Sequence, residues 1–376
     1  MILVDFSSTM HRMIYSASKD CELQEDGKYN TEDFIYLTKY LIIQEMYNIH
    51  REHKNKFGEL VLCMDNAQGG YWRKDYYSSY KLKRSQGKDD SPYKWGEIFK
   101  YINDMIDMMR EYLPWKIVSV PRAEADDIML VLARHYNKFE KILIFSPDKD
   151  MIQAQRNTDN VFQYSALTKK WIIPENKHED MDDWLLEHVC LGDASDEVPR
   201  IIDETIFSDN FKNYLKENNI DVETPMEFQT LSDEIKSELL EKYNIYKVNK
   251  KGEPTELDIY LKERFGLSTL KKKIDKIGSL DSFLDSHPLY RKHYNRNYIL
   301  VMEEGIPPEI WNECLIQYKN AKNDLMINEF EKFLDKHNLS SLKLTITFEI
   351  TRELKMEDFG WWKSMKILFL AKAVEE

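Results

Sequence analysis

Short apolar runs recur through the first part of the chain, and each one ends in acid. "MILVD" closes on Asp5 and "LVLCMD" on Asp65. "KIVSV" leads into "PRAEADD", with Glu124, Asp126 and Asp127, and "KILIF" leads into "SPDKD", with Asp148 and Asp150. Continuous apolar runs of about four to six residues, separated by helical stretches, mark buried parallel strands. Residues 34–51 and 95–113 have the length and apolar spacing of the intervening helices. The pattern predicts an α/β fold with a mostly parallel central sheet.

Beyond residue 200 the pattern changes. "KVNKKGEPTE" predicts a loop or hairpin, and "LSTLKKKIDKIGSLDSFL" a single helix. "LKLTITFEI" alternates with period two, as a half-buried strand does, and "FGWWKSMKILFLAK" predicts an aromatic-rich helix.

With 376 residues and 42% hydrophobic content, the chain can bury a substantial core in two domains or in one domain with large insertions. No apolar run approaches the ~20 residues of a membrane span. "MILVDFSSTM" has no basic segment or small-residue cleavage site, so it predicts a strand rather than a signal peptide, and a cytoplasmic protein. Cys21, Cys63, Cys190 and Cys314 form no CxxC pair, which argues against a zinc site or a disulfide framework. The histidines form no HExxH; His50 and His53 fit a solvated helix face. A net charge of −13 argues against nonspecific nucleic-acid binding, unless the acids are gathered in one place and the bases in another.

The acids are gathered. In open parallel sheets the functional crevice lies at the carboxyl ends of the strands, where Asp5, Asp65, Glu124, Asp126, Asp148 and Asp150 fall. Acids in a first helical turn complement the helix dipole, which accounts for one or two of them but not for four acidic strand ends. "CLGDASDEVP" adds Asp193 and Asp196, spaced i to i+3 on one side of a predicted helical turn. So many carboxylates in one crevice stay ionised only when cations compensate them. A donor set of oxygens alone suits Mg²⁺ or Mn²⁺. On the predicted helix Glu124 and Asp126 flank an apolar face of Ala125, Ile128, Met129 and Leu132. Asp127 points further round, to a supporting position at the metal site.

After Asp65 the charge reverses. Between Tyr71 and Lys88 lie six Lys or Arg residues and one acid, interleaved with Tyr71, Trp72, Tyr76, Tyr77 and Tyr80. Arg73, Tyr77 and Lys81 are spaced as one helical stripe. Bases hold phosphates and aromatic faces stack on nucleobases, so Arg73, Lys74, Tyr77, Lys81, Lys83 and Arg84 are candidate nucleic-acid contacts. The alternative is an amphipathic helix with snorkelling lysines.

These motifs together resemble the phage-type 5′-nuclease, or flap endonuclease, family. The resemblance rests on "LVDFS", "VLCMDNAQGGYWRKDYYSSYKLKR", "AEADDI", "KILIFSPDKDM", "FQYSALTKKWI" and "LGDASDEVP" in that order, with a weaker match from "RNYILVMEEGIPPEI" to "NEFEKFLDKHNLSSL". It implies a three-layer PIN-like/5′-nuclease domain over 1–202, with a gateway at about 66–98. A mainly helical DNA-binding region would follow over 203–342, holding an insertion at about 204–285, with a strand-helix extension over 343–376. It implies two Mg²⁺, with Mn²⁺ a possible substitute. Asp5, Asp65, Glu124, Asp126 and Asp148 would hold the inner metal, with Asp127 behind them. Asp150, Asp193 and Asp196 would serve the second. Arg73 and Lys81 would hold the scissile phosphate, and Asp126 and Asp148 would be central to catalysis.

The implied activity is 5′ to 3′ exonuclease and flap cutting on branched or nicked DNA and RNA-DNA duplexes, removing primers in phage replication as a monomer. Products would carry 5′-phosphate and 3′-hydroxyl ends. One departure from the family is the lack of any glycine between Gly192 and Gly252, where a glycine-rich helix-hairpin-helix is expected. Lys271 and Lys272 contact duplex phosphates or belong to a solvated helix face. The extension packs on the body or docks a sliding clamp or single-strand-binding protein. Two rival readings are a PIN-like endoribonuclease and a noncatalytic nucleic-acid-binding scaffold.

Overall fold

The computed structural model describes residues 1–29, 31–82, 91–174, 179–202, 204–222, 225–249, 253–263, 266–322, 327–336 and 339. Lys83, Arg84 and the 343–376 extension lie outside the described residues. The chain forms two compact units: Met1–Met181 with the chain from Met302 onward, and Asp182–Val301. The chain leaves the first unit after Met181 and returns to it at Met302.

The first unit is built on β1 (Ile2–Asp5), α1 (Phe6–Ala17), α2 (Thr31–Phe57), β2 (Leu60–Met64), the single turn α3 (Arg73–Tyr76), α4 (Trp95–Tyr112), β3 (Lys116–Ser119), α5 (Ala125–Tyr136) and β4 (Ile142–Phe145). A 3₁₀ helix (Lys149–Gln155), β5 (Val161–Ser165) and β6 (Lys170–Ile172) follow. The strands make one sheet in the order β3-β2-β1-β4-β5-β6. All neighbours are parallel except β5 and β6. All four acid-ended runs are adjacent parallel strands, as the apolar pattern predicts. β1 sits at the centre, with Val4 level with Leu62 of β2 and Phe145 of β4.

Strand alternation divides the core. Ile2, Val4, Leu60, Leu62, Leu143 and Phe145 pack with α1, α2 and α4 through Ile14, Met46, Ile102 and Met109. α5 contacts β1, β2, β3 and β4. Each buried Leu or Ile contributes roughly 1.5–3 kcal/mol, so the sheet is a stiff support for what its carboxyl ends carry.

The second unit contains most of α6 (Glu179–Leu191), then β7 (Glu204–Phe207), α7 (Asp209–Glu217), α8 (Pro225–Thr230) and α9 (Asp233–Lys242). β8 (Tyr246–Val248), β9 (Pro254–Leu257), β10 (Tyr260–Glu263), α10 (Leu267–Ile277), α11 (Leu280–Asp285) and α12 (Pro288–Val301) complete it. β8 and β9 form the expected hairpin, and β7 pairs antiparallel with β10. The 204–263 segment has its own small core of Phe207, Phe211, Leu215, Phe228, Leu239 and Tyr243. The predicted single lysine-rich helix is two helices. α10 stops at Gly278, whose φ of 109° is the left-handed cap that glycine adopts without strain, and Ser279 caps α11. Lys271 is ion-paired with Asp183, and Lys272 is exposed.

Back in the first unit, a short turn at Glu303–Gly305 leads to α13 (Pro308–Asn320), which packs on α5 and β3, and to α14 (Ile327–Lys336), which packs on α4.

Candidate active site

Asp5 is the last residue of β1 and the N-cap of α1; its Oδ1 accepts from the Ser8 amide at 2.8 Å. A strand running directly into a helix cap fixes this carboxylate within one residue. Ser146, two residues before Asp148, donates its hydroxyl to Asp5 Oδ2 at 3.3 Å and accepts from the Asp148 amide at 3.2 Å. Asp148 caps the 3₁₀ helix, with Oδ1 accepting from the Asp150 amide at 2.8 Å. Asp65, exposed just past β2, accepts from the Ala125 amide at 2.7 Å, which ties it to the first turn of α5.

The electrostatics show that these groups share one place. Burial pushes the Asp5 carboxyl up to about 7, with the charges of Asp65 and Asp148 adding to the rise. Burial also drives Asp126 far above the usual carboxylate range, with Asp148, Asp5 and Glu124 reinforcing the effect. Carboxylates that hinder one another's ionisation form a site that gains from a cation.

Glu124 behaves differently because bases surround it. Burial raises its pKa, but Arg73 and Lys81 overcome burial and hold the carboxyl below its usual range. Arg73 Nη1 and the Tyr80 hydroxyl donate to Oε2 at 2.8 and 2.9 Å, and Lys81 Nζ donates to Oε1 at 2.5 Å. Asp127, fully buried, takes the rest of Arg73, with Nη2 to Oδ1 at 2.7 Å and Nη1 to Oδ2 at 3.0 Å. Its Oδ2 also accepts from Trp72 Nε1 at 3.0 Å and from the Glu124 amide at 2.9 Å. Asp127 therefore serves as helix cap and counter-ion to Arg73, which sets it apart from the carboxylates around Asp5.

The helical stripe of Arg73, Tyr77 and Lys81 does not form. α3 ends after one turn, Tyr77 is extended at φ −149°, and Lys81 is left-handed at φ 51°. Arg73, Tyr80 and Lys81 are instead drawn onto the buried carboxylates of Glu124 and Asp127 at the head of α5. Arg73 is 5% exposed, stacked on Trp72 with its charge held by acids, so it braces Glu124 rather than facing solvent as a phosphate clamp. Lys74 and Tyr76 are exposed and Tyr77 is half-buried.

In the second unit, Asp193 and Asp196 sit on a turn rather than a helix. An isolated bridge pairs Asp193 with Val198. Asp193 Oδ1 accepts from the Ser195 amide and hydroxyl at 2.7 and 2.6 Å. Gly192, at φ 70°, precedes them so closely packed that a Cβ would lie 2.3 Å from the Val198 carbonyl oxygen.

The acidic pattern does not reveal Ser146 or Gln163. Gln163 donates to the carbonyls of Ser146 and Asp148 at 3.1 and 2.5 Å. Its signal was a polar residue at an inward position of the alternating run "VFQYS".

Residues 1–182 match the family model described as 5′-3′ exonuclease, N-terminal resolvase-like domain. Ribonuclease H of Enterobacteria phage T4 is 30% identical over 167 residues, which is 44% of this chain and 54% of that one. A 5′-3′ exonuclease of Mycoplasmopsis pulmonis is 26% identical over 204 residues, 53% of this chain and 61% of that one. Among solved structures, the T5 D15 protein co-crystallized with metal ions is similar with a TM-score of 0.49 and 13% identity, over 92% of this chain and 98% of that one. The chain thus spans little more than half the length of these two sequence relatives. No helix among the described residues is long and apolar enough to cross a membrane. The match to that family model runs through residues 1–182, just under half of the chain, and spans every one of the acid-ended strands.

Proposed function

We propose that this chain is a divalent-metal-dependent 5′ to 3′ exonuclease and flap endonuclease. Its substrates are branched or nicked DNA and RNA-DNA duplexes with a free 5′ end, and its duty is primer removal in phage DNA replication. The observation that carries the reading is the group of carboxylates at the ends of four adjacent strands, centred on an Asp5 whose carboxyl burial and neighbouring acids push to about 7.

The donor set fits a hard cation: carboxylate oxygens gathered at the strand ends, with Asp5 and Asp126 penalised for ionising alone. Asp5, Asp65, Glu124, Asp126 and Asp148 would hold one Mg²⁺, and Asp150, Asp193 and Asp196 a second. Bound there, such ions activate water and stabilise charge on the attacked phosphodiester. Lys81 Nζ, held at Glu124 with its charge acting on Asp126, would stabilise the developing charge of a phosphate bound at the cluster. Lys74 and Tyr77 would contact the incoming strand, and Lys272 with Lys271 the duplex backbone. The 343–376 extension would pack on the body or else dock a single-strand-binding protein or sliding clamp, and the enzyme would act as a monomer in the host cytoplasm.

The test is a 5′-labelled flap on duplex DNA with Mg²⁺ or EDTA, and Asp148→Asn as control. Mg²⁺-dependent cutting near the junction, lost in Asp148→Asn, is expected. Cutting of single-stranded RNA alone would sink the reading, as would tight DNA binding with no cutting in Mg²⁺ or Mn²⁺.

A further inference from the structure

Glu303 is acidic, 6% exposed and far along the chain from the strand-end carboxylates. Burial pushes its carboxyl up even with a guanidinium beside it. Arg134 of α5 meets Glu303 through Nε at 2.6 Å and also through Nη2. The same guanidinium donates to the carbonyls of Arg156 at 2.7 Å and Gln153 at 3.0 Å. The Glu303 amide donates to Gln153 Oε1 at 2.8 Å, and Gln153 Nε2 donates to the Asp150 carbonyl at 3.0 Å. The Asp150 amide in turn donates to Asp148 Oδ1.

This is more than a tie for the returning chain. The Arg134–Glu303 pair alone would anchor that segment. Gln153, 1% exposed and itself part of the 3₁₀ helix, passes that brace back to the Asp150 carbonyl one turn earlier. A 3₁₀ helix has poor internal hydrogen-bond geometry and holds its shape weakly unaided. Here it is also held from neighbouring elements: Arg134 of α5 takes the Gln153 carbonyl within it and the Arg156 carbonyl just past it, and Gln163 of β5 takes the Asp148 carbonyl at its cap. Groups that orient ligating carboxylates contribute strongly to metal affinity.

We propose that Gln153, braced by Arg134 and Glu303, is a positioning residue that holds Asp150, and through the Asp148–Asp150 cap Asp148, in place for the divalent cations assigned to them above. This rests on the metal reading given above. Its role is to set ligand geometry, with no contact to substrate.

The test uses the full chain and Mn²⁺ alone as the probe. Gln153→Met keeps the side-chain volume and removes both hydrogen bonds. Mn²⁺ binding by calorimetry should weaken about 10–100-fold. Flap cutting should recover when Mn²⁺ is raised to saturation, with an unchanged KM for the flap. Arg134→Lys, which keeps the charge but loses the fork, should shift Mn²⁺ binding in the same direction, and it decides the matter should Gln153→Met not fold. Wild-type Mn²⁺ affinity in the folded variant overturns the proposal, as does lost cutting that saturating Mn²⁺ does not restore. A wild-type chain that takes up no Mn²⁺ overturns the metal reading itself, and this inference with it.

Discussion

Lys81 Nζ lies 2.5 Å from Glu124 Oε1, and both side chains are almost wholly shielded from water. The lysine backbone is in the left-handed region to make that contact. A non-glycine residue in that conformation carries a cost of order 1–3 kcal/mol that its surroundings must offset. Here the offset is a buried, charge-assisted hydrogen bond to a carboxylate of the candidate metal site. Lys81→Met should therefore lower kcat on a flap substrate by about 10²–10³-fold, the usual loss of one well-placed donor, with a smaller change in KM. Single-turnover cutting at saturating Mg²⁺ measures it. A wild-type rate would remove Lys81 from the chemistry.

Arg73 and Asp127 test a different property. Their pair is buried and bidentate, and Asp127 also holds Trp72 and the head of α5. Removing one member of such a pair leaves the other charge without its partner and costs about 3–5 kcal/mol. Asp127→Ala should lower stability by that order in urea denaturation, metal-free. A loss under 1 kcal/mol would show that Glu124 alone can satisfy Arg73 (about the worth of an exposed pair).

The carboxylate cluster makes stability depend on pH in a stated direction. Asp5 titrates at about 7 in the folded chain against an ordinary 3.8. The folded state then binds more protons than the unfolded state between those values, so this group's contribution falls as pH rises from about 4 to 7. His50 acts oppositely: burial lowers it to about 4, so it costs stability as the pH falls below its ordinary 6.5. The comparison is therefore between wild type and Asp5→Asn in EDTA. Asp5→Asn should gain on wild type steadily from pH 4 to 7, and Mg²⁺ should close the gap by favouring the ionised carboxylate. Parallel urea midpoints across that range would refute the assignment.

Gly192 offers a test in the second unit. Any side chain there meets the Val198 and Pro199 carbonyls at 2.3 and 2.8 Å, at a φ of 70° that disfavours L residues. Gly192→Ala should destabilise the chain by about 1–3 kcal/mol and raise the Mg²⁺ needed for half-maximal cutting by displacing Asp193 and Asp196. An unaltered Mg²⁺ requirement would separate this turn from the metal site.

The sheet was legible because buried parallel strands are uniformly apolar and short, and because Asp5 ends its strand while Asp65 and Asp148 follow theirs within three residues. What the spacing could not show was competition for charge. Arg73, Tyr77 and Lys81 have helical intervals, but the two carboxylates of Glu124 and Asp127 outweigh helix propensity over a single polar turn, and the stripe breaks. Helical spacing did turn Asp127 away from Asp126, but it could not show what Asp127 meets there. Their environments differ through Arg73 and Trp72, which come from about fifty residues earlier in the chain. The apolar spacing of the lysine-rich stretch runs on through Gly278, but a glycine followed by a capping serine is a stop-and-start signal. Ser146 and Gln163 act through single hydrogen bonds, which leave only a faint mark on periodicity.

The pairing of β7 with β10 has a consequence for the chain's history. Glu204 stands opposite Glu263, and residues facing each other across an antiparallel ladder are only about 5 Å apart. The sixty-residue segment between them therefore leaves and returns at one point, with a core of its own. To the rest of its unit it resembles a cassette plugged into a two-pin socket. Such a cassette can be gained, exchanged or lost in one genetic event, with a short turn left in its place.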